Sequence, residues 1–175
     1  VIGGGDWATD RIVPDCVRSW SNGKTVYLRN PKSTRPWQHV LEPLSGYLTL
    51  ALKLDLEPSL NGQPFNFGPA SNETKTVLEL VKEMSKYWIK VNWELMNEKE
   101  GFHESALLKL NCDKALYFLN WQSCLSFKET MKFTVNWYKN FFEKSTNVFE
   151  FSNHQIEEYT NLAKMRGIDW SCPNL

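Results

Sequence analysis

At 175 residues, with 20 lysines plus arginines against 20 aspartates plus glutamates, the chain carries a formal net charge of zero and has the length for one ordinary core or two small ones. That balance excludes the basic excess or dense basic stripe of a nucleic-acid binder, so no nucleic-acid partner is expected. There is no run of about eighteen apolar residues and no charged-then-apolar start, so neither a membrane span nor a signal peptide is expected. The cysteines at 16, 112, 124 and 172 form no CxxC pair, which fits a reduced, cytoplasmic protein. His39, His103 and His154 show no ligand spacing with them, so no metal is expected.

The chain opens on Val1-Ile2-Gly3-Gly4-Gly5. An apolar pair running straight into glycines reads as the tail of a buried strand entering a loop, and a further amino-terminal portion is expected before it. Asp10 is placed to cap a helix whose first turn tolerates Pro14, with Ile12, Val13, Cys16, Val17 and Trp20 as its apolar stripe and Asn22-Gly23 as its end.

The stretch KTVYLRNPKSTRPWQHV at 24–40 is expected to form a hairpin: a strand over 25–29, a polar turn at 30–34 and a second extended piece over 35–40. Lys24, Arg29, Lys32 and Arg35 lie along it. The ring of Pro36 clashes with a helical predecessor and pushes Arg35 toward extended geometry. A guanidinium fork on a stiff backbone suits a phosphate, and two forks flanking a turn suit a pyrophosphate. The alternative is a solvated hairpin whose arginines pair with nearby carboxylates.

A second helix is expected from Leu41, with Leu44, Tyr47, Leu48, Ala51 and Leu52 as its buried face and Glu57-Pro58 as its stop. Asn61-Gly62 makes a turn before a short strand at 63–68. Thr76 and Glu79 fit a capping box for a helix using Val77, Leu80, Val81, Met84 and Trp88. Strands over 91–95 and 106–110 flank a charged loop at 97–104, and a short helix runs from Asn111 or Asp113 to Leu119. Ser126 with Glu129 fits a second box, ahead of an aromatic-rich helix using Phe127, Met131, Thr134, Tyr138 and Phe141. Ser152 with Gln155 fits a third, ahead of a last helix ending at Gly167. The sum is one mixed α/β unit over 1–175, with short strands on helices and a sheet too small to stand alone.

Gly3-Gly4-Gly5-Asp6 invites a phosphate-loop reading but fits neither GxGxxG nor GxxxxGKS/T, so a tight turn is expected. No Ser-His-Asp or Cys-His arrangement follows from spacing. His103 and Glu104 are adjacent on an extended segment and point to opposite faces, which suits separate roles. Asn66, between Phe65 and Phe67, faces away from both rings, toward solvent or a cleft. Trp20, Trp88, Trp121 and Trp137 are expected in the core. Trp7 and Trp37, in loops, are the candidates for lining a pocket.

The segments VIGGGDW, DRIVPD, RNPKSTRPWQHVLEPLSGYL, FNFGP, FHESALLKLNCDKALYFLNW, WYKNF and QIEEY resemble, in order, the carboxyl-terminal half of the CDP-glucose 4,6-dehydratases. These belong to the extended short-chain dehydrogenase/reductase family, alongside dTDP-glucose dehydratase and UDP-galactose epimerase. RPWQHVLEPLSGYL is the most specific piece. Relatives carry an arginine followed by Asp and an aromatic there, and Arg-Pro-Trp-Gln-His is similar to the CDP-glucose branch.

The resemblance implies an α/β carboxyl-terminal substrate-binding lobe, with a Rossmann NAD-binding domain in the part preceding Val1. It implies that Arg35 contacts the pyrophosphate of CDP-glucose, that Arg11 is a basic position near it, and that Tyr27 and Arg29 flank the base. Asn66 matches a strand asparagine near the substrate. His103 matches the histidine of a phosphate-side loop, where Glu100-Gly101-Phe102 departs from the arginine-proline-glycine of the dTDP-glucose branch. The family's glycine-rich NAD loop, Tyr-x-x-x-Lys pair and acidic dehydration residues would all precede Val1. The chain alone is then expected to be inactive, its role being to spend binding energy from the nucleotide on orienting the sugar. The parent is expected to be a homo-oligomer in deoxysugar biosynthesis, and the lobe to expose an apolar face on its first strand and first helix. The rivals are another sugar-nucleotide epimerase or dehydratase lobe, and a non-catalytic domain whose aromatic helix over 127–142 docks on a partner.

Overall fold

The computed structural model describes residues 1–70, 73–96 and 107–172. Its main core forms where three amphipathic helices meet one strand. Helix α1 (Ile12–Ser21) buries Val13, Cys16, Val17 and Trp20, and β1 (Val26–Leu28) turns Val26 and Leu28 inward and Tyr27 outward. Helix α3 (Val77–Met84) contributes Leu80, Val81 and Met84, and α5 (Phe127–Glu143) contributes Met131, Val135 and Tyr138. Trp20 closes this core with its indole N–H donating to the Asn92 carbonyl at 3.1 Å.

Both expected capping boxes at the starts of α3 and α5 are formed, Thr76 with Glu79 and Ser126 with Glu129, so each helix satisfies two of its orphan N–H groups locally. The third is not. Ser152 lies inside α6 (Val148–Met165), and Asn147 caps that helix by accepting from the Phe149 N–H at 2.9 Å. Asp10 does not cap α1 either: it adopts a left-handed φ of 59°, and Arg11 takes the N-cap position without a side-chain hydrogen bond. Asn120 ends α4 (Asp113–Leu119) with φ 51°, the left-handed turn asparagine tolerates.

The expected hairpin over 24–40 is not formed. β1 pairs in parallel with β4 (Trp93–Leu95), while β2 (Thr34–Arg35) pairs antiparallel with β3 (Lys75–Thr76). The reason lies in the turn between them. The carbonyls of Ser33 and Pro31 accept from Val77 N–H at 2.9 Å and Leu78 N–H at 3.0 Å. The turn is thereby spent on the first turn of α3, and its two arms separate. Residues 63–68 join no ladder among the described residues. Of the expected strand over 106–110, Leu107 makes a single parallel bridge to Thr34.

Helix α2 (Leu41–Leu56) inverts its expectation. Its buried residues are Glu42, Pro43, Ser45, Gly46 and Thr49. Leu44 (45% exposed), Tyr47 (59%), Leu48 (68%), Leu52 (64%) and Leu56 (72%) face outward. Spacing alone found the apolar stripe but not the side it faces. The inner side is claimed by a close approach: a Cβ on Gly46 would fall within the ring of Phe67. It is also claimed by hydrogen bonds from Ser45 to the Glu42 carbonyl and from Thr49 to the Ser45 carbonyl. The exposed apolar face expected on the first strand and first helix is therefore on α2; Ile2 and the α1 stripe are buried.

Two smaller cores flank α2. Leu60, Phe67, Ala115, Leu119 and Trp121 form one, with Leu50 and Leu54 of α2 against them. Cys124, Leu125, Phe133, Tyr159, Ala163 and Ile168 form the other. Among the described residues no helix is long and apolar enough to cross a membrane.

Candidate functional site

The head of α1 gathers two of the candidate cations. Arg29 reaches Asp10 at 3.1 Å and Arg11 reaches Asp6 at 3.2 Å, so Arg11 and Arg29 belong to one charged cluster. With the side chains of Arg11 and Arg29 64% and 66% exposed, these pairs contribute little to stability, and a stronger anion can displace their carboxylates at little cost. Tyr27, 60% exposed, shares β1 with the residues leading to Arg29.

Arg35 is placed differently. It is half-buried on β2, its Nη1 donates to the Thr34 carbonyl at 2.8 Å, and it stands directly across the β2–β3 pair from Lys75. Lys75 reaches Glu79 at 4.0 Å. Its carbonyl is held by the Trp37 indole N–H at 2.9 Å, which fixes the backbone of both strands. Two cationic residues thus stand directly opposite on adjacent strands, with the Glu79 carboxylate beside Lys75. Thr34 bridges Leu107 on its other side, placing β2 in the middle of a three-segment patch.

Asn66 is exposed, and its amide donates to the Asn111 carbonyl at 3.1 Å. His103 and Glu104 lie outside the described residues. Trp7 packs on Tyr138, Phe141 and Phe142 with ring centroids 4.9–5.9 Å apart, and Tyr138 donates to the Asp6 carbonyl at 2.7 Å. Trp7 thus pins the 6–9 loop to α5. Two surface hollows, of about 470 and 180 Å³, are lined by 140–148 and by Trp20, Trp88 and Phe142 with their neighbours; neither touches Arg11, Tyr27, Arg29, Arg35 or Asn66.

The polar centre that sequence reasoning missed is Glu42. Only 1% exposed, its carboxylate accepts from Cys124 N–H at 3.0 Å, Leu125 N–H at 2.6 Å and Tyr159 O–H at 2.9 Å. Burial raises its pKa above the ordinary carboxylate value, and those three donors oppose the rise. Tyr159 also reaches Ser45 at 3.1 Å, and Trp121 donates to the same hydroxyl at 3.0 Å. The network fastens α2 to the 121–125 segment and to α6. A carboxylate in the first turn of an otherwise apolar helix, just before Pro43, was the available signal.

No family model matches the chain. CDP-glucose 4,6-dehydratase of Salmonella typhimurium is 42% identical over 160 residues, which cover 91% of this chain and 44% of that protein. The chain therefore spans under half the length of this curated relative. The fold matches UDP-glucose-4-epimerase of Stenotrophomonas maltophila, solved with NAD and formylated UDP-arabinopyranose: TM-score 0.62, 17% identity, 83% of this chain and 43% of that one. It also matches dTDP-glucose 4,6-dehydratase of Bacillus anthracis, solved with NAD: TM-score 0.58, 20% identity, 79% of this chain and 41% of that one. By sequence the chain is thus similar to under half of CDP-glucose 4,6-dehydratase, and its fold is similar to part of the UDP-glucose-4-epimerase and dTDP-glucose 4,6-dehydratase structures.

Proposed function

We propose that these residues form the nucleotide-sugar-binding part of a CDP-glucose 4,6-dehydratase, taking CDP-glucose toward CDP-4-keto-6-deoxyglucose with NAD held by a Rossmann domain outside this sequence. The observation that carries the reading is the 42% identity to the CDP-glucose enzyme, against 20% or less for the dTDP- and UDP-sugar enzymes of the same fold. The chemistry of the site supports it. Arg35 and Lys75 supply paired positive charge for a diphosphate, bidentate on the guanidinium side. Arg11 and Arg29, at the head of α1, supply further positive charge, and Tyr27 offers a ring face to the base. Asn66 and His103 complete the substrate side.

The reaction removes hydride from C4 of glucose, eliminates water across C5 and C6, and returns hydride to C6. Those steps need a cofactor against the sugar and a positioned acid and base. The 175 residues contain neither GxGxxG nor Tyr-x-x-x-Lys. Their contribution is binding energy and orientation, and alone they turn over no substrate. The test is a calorimetric panel of CDP-, UDP- and dTDP-glucose, with product assayed in parallel in the presence of NAD. Preference for CDP-glucose without turnover supports the reading. Equal or stronger binding of another nucleotide sugar replaces the substrate, and 4-keto-6-deoxy product from the chain alone overturns the division of labour.

A further inference from the structure

β1 and β4 share an outward face whose central pair of side chains the core does not use. In their parallel ladder Val26 pairs with Trp93, Tyr27 with Glu94 and Leu28 with Leu95. Register partners project to the same side of a sheet, and neighbouring strands lie about 4.8 Å apart. Val26 and Leu28 are buried in the main core and Trp93 packs against it, so Tyr27 and Glu94 stand together on the opposite side. Tyr27 is 60% exposed, and Glu94 is exposed too. Arg29, two residues on from Tyr27, is engaged with Asp10 at 3.1 Å. Among the described residues Glu94 takes part in no ion pair. Neither packing nor charge pairing within the fold therefore accounts for the pair.

The two side chains divide the recognition of a nucleobase between them. A tyrosine ring stacks on any base, because every base has a π-face, so Tyr27 supplies affinity without choice. A carboxylate accepts hydrogen bonds and donates none. The pyrimidines differ at ring position 4: cytosine carries an amino group, which donates, whereas uracil and thymine carry a carbonyl, which only accepts. A carboxylate one strand spacing from the stacking ring gains a hydrogen bond from cytosine and meets a second acceptor in uracil or thymine. The same contact thus favours one base and opposes the other two.

We infer that Glu94 is the residue that selects cytosine, by accepting from the 4-amino group of a base stacked on Tyr27. The inference rests on the proposed nucleotide-sugar reading for the presence of a pyrimidine nucleotide at β1. It adds to that reading the group that chooses among the pyrimidines.

The test titrates the unaltered chain and two variants with CDP-glucose and with UDP-glucose. The unaltered chain should favour CDP-glucose by on the order of tenfold. Glu94→Gln keeps the size of the side chain and adds an N–H donor that uracil can use, so the two affinities should come within about threefold of each other. Tyr27→Leu should weaken both ligands alike and leave their ratio as it was. Both positions are exposed and outside the core, so each variant keeps the far-ultraviolet circular dichroism of the parent. An unchanged ratio in Glu94→Gln overturns the inference, and so does an equal loss of both ligands, which would mean that Glu94 holds the nucleotide without reading its base. Full affinity in Tyr27→Leu overturns it as well, by removing the base from this face. In each of these cases CDP-glucose bound by the unaltered chain leaves the nucleotide-sugar reading standing. Failure of the unaltered chain to bind either ligand refutes that reading, and the role of Glu94 falls with it.

Discussion

Glu42 and Tyr159 lie 117 residues apart in sequence and meet at 2.9 Å in the protein interior, joining the first turn of α2 to the middle of α6. Among the described residues, the carboxylate alone accepts from the Cys124 and Leu125 N–H groups. Its removal strands both of those buried N–H donors, while the Tyr159 hydroxyl keeps Ser45; removal of the tyrosine hydroxyl strands neither of the backbone ones.

Glu42→Ala is accordingly expected to destabilise the chain by roughly 3–5 kcal/mol, and Tyr159→Phe by about 1–2 kcal/mol. Urea denaturation of both single variants and the double variant checks this. The pair should show coupling of about 1 kcal/mol or more. Additive losses would mean that the two groups act separately.

His39 should set the upper acid limb of stability. It is 2% exposed, and burial depresses its pKa from 6.5 to about 4. Between those values the unfolded chain binds a proton that the folded chain refuses, so stability rises with pH. The contribution is fully present above about pH 6.5, falls on acidification toward pH 4, and totals on the order of 3 kcal/mol. Glu129 governs a lower window. Burial alone would raise its pKa, but hydrogen bonds from Arg166 and Ser126 prevail and hold it at about 2. Its contribution is present above about pH 4.5 and lost as pH falls toward 2. Denaturation midpoints of His39→Gln against pH should lose the upper limb and keep the lower.

The elements defined by local chemistry were legible in the sequence. The capping boxes at Thr76 and Ser126 and the α1 stripe each depend on residues within a turn or two of each other. What failed depended on distant partners. The hairpin gave way because the Pro31 and Ser33 carbonyls are taken by α3, more than forty residues on. The orientation of α2 could not be read from a stripe of leucines, because period fixes which residues share a face and not what covers it. The cation at 35 was visible, but its cross-strand neighbour Lys75 emerges only once β2 and β3 pair.

Gly46 tests the packing that turns α2 around. A Cβ at this position would meet Cδ1 and Cε1 of the Phe67 ring, which itself packs edge-on against Trp121 at 4.9 Å. The ring is buried against Trp121, so Gly46→Ala should cost about 1–3 kcal/mol through overpacking, despite alanine's better helix propensity. Thermal denaturation checks the sign. Combining Gly46→Ala with Phe67→Leu should recover part of the loss relative to the sum of the two single changes. An alanine variant as stable as the parent would mean that the helix is free to slide away from Phe67.

Arg35 and Lys75 are expected to act on the same bound diphosphate. Arg35→Ala should weaken CDP-glucose binding by roughly 2–4 kcal/mol, the cost of losing a charge-assisted bidentate contact. Lys75→Ala should cost less, since an ammonium acts as a point charge without the planar fork. Arg35→Lys keeps the charge and loses the fork, and should recover only part of the affinity. The measurement is isothermal titration of CDP-glucose at two salt concentrations, because binding through these cations weakens as ionic strength rises. Full affinity in Arg35→Ala would leave β2 an ordinary surface strand and remove the diphosphate from this patch.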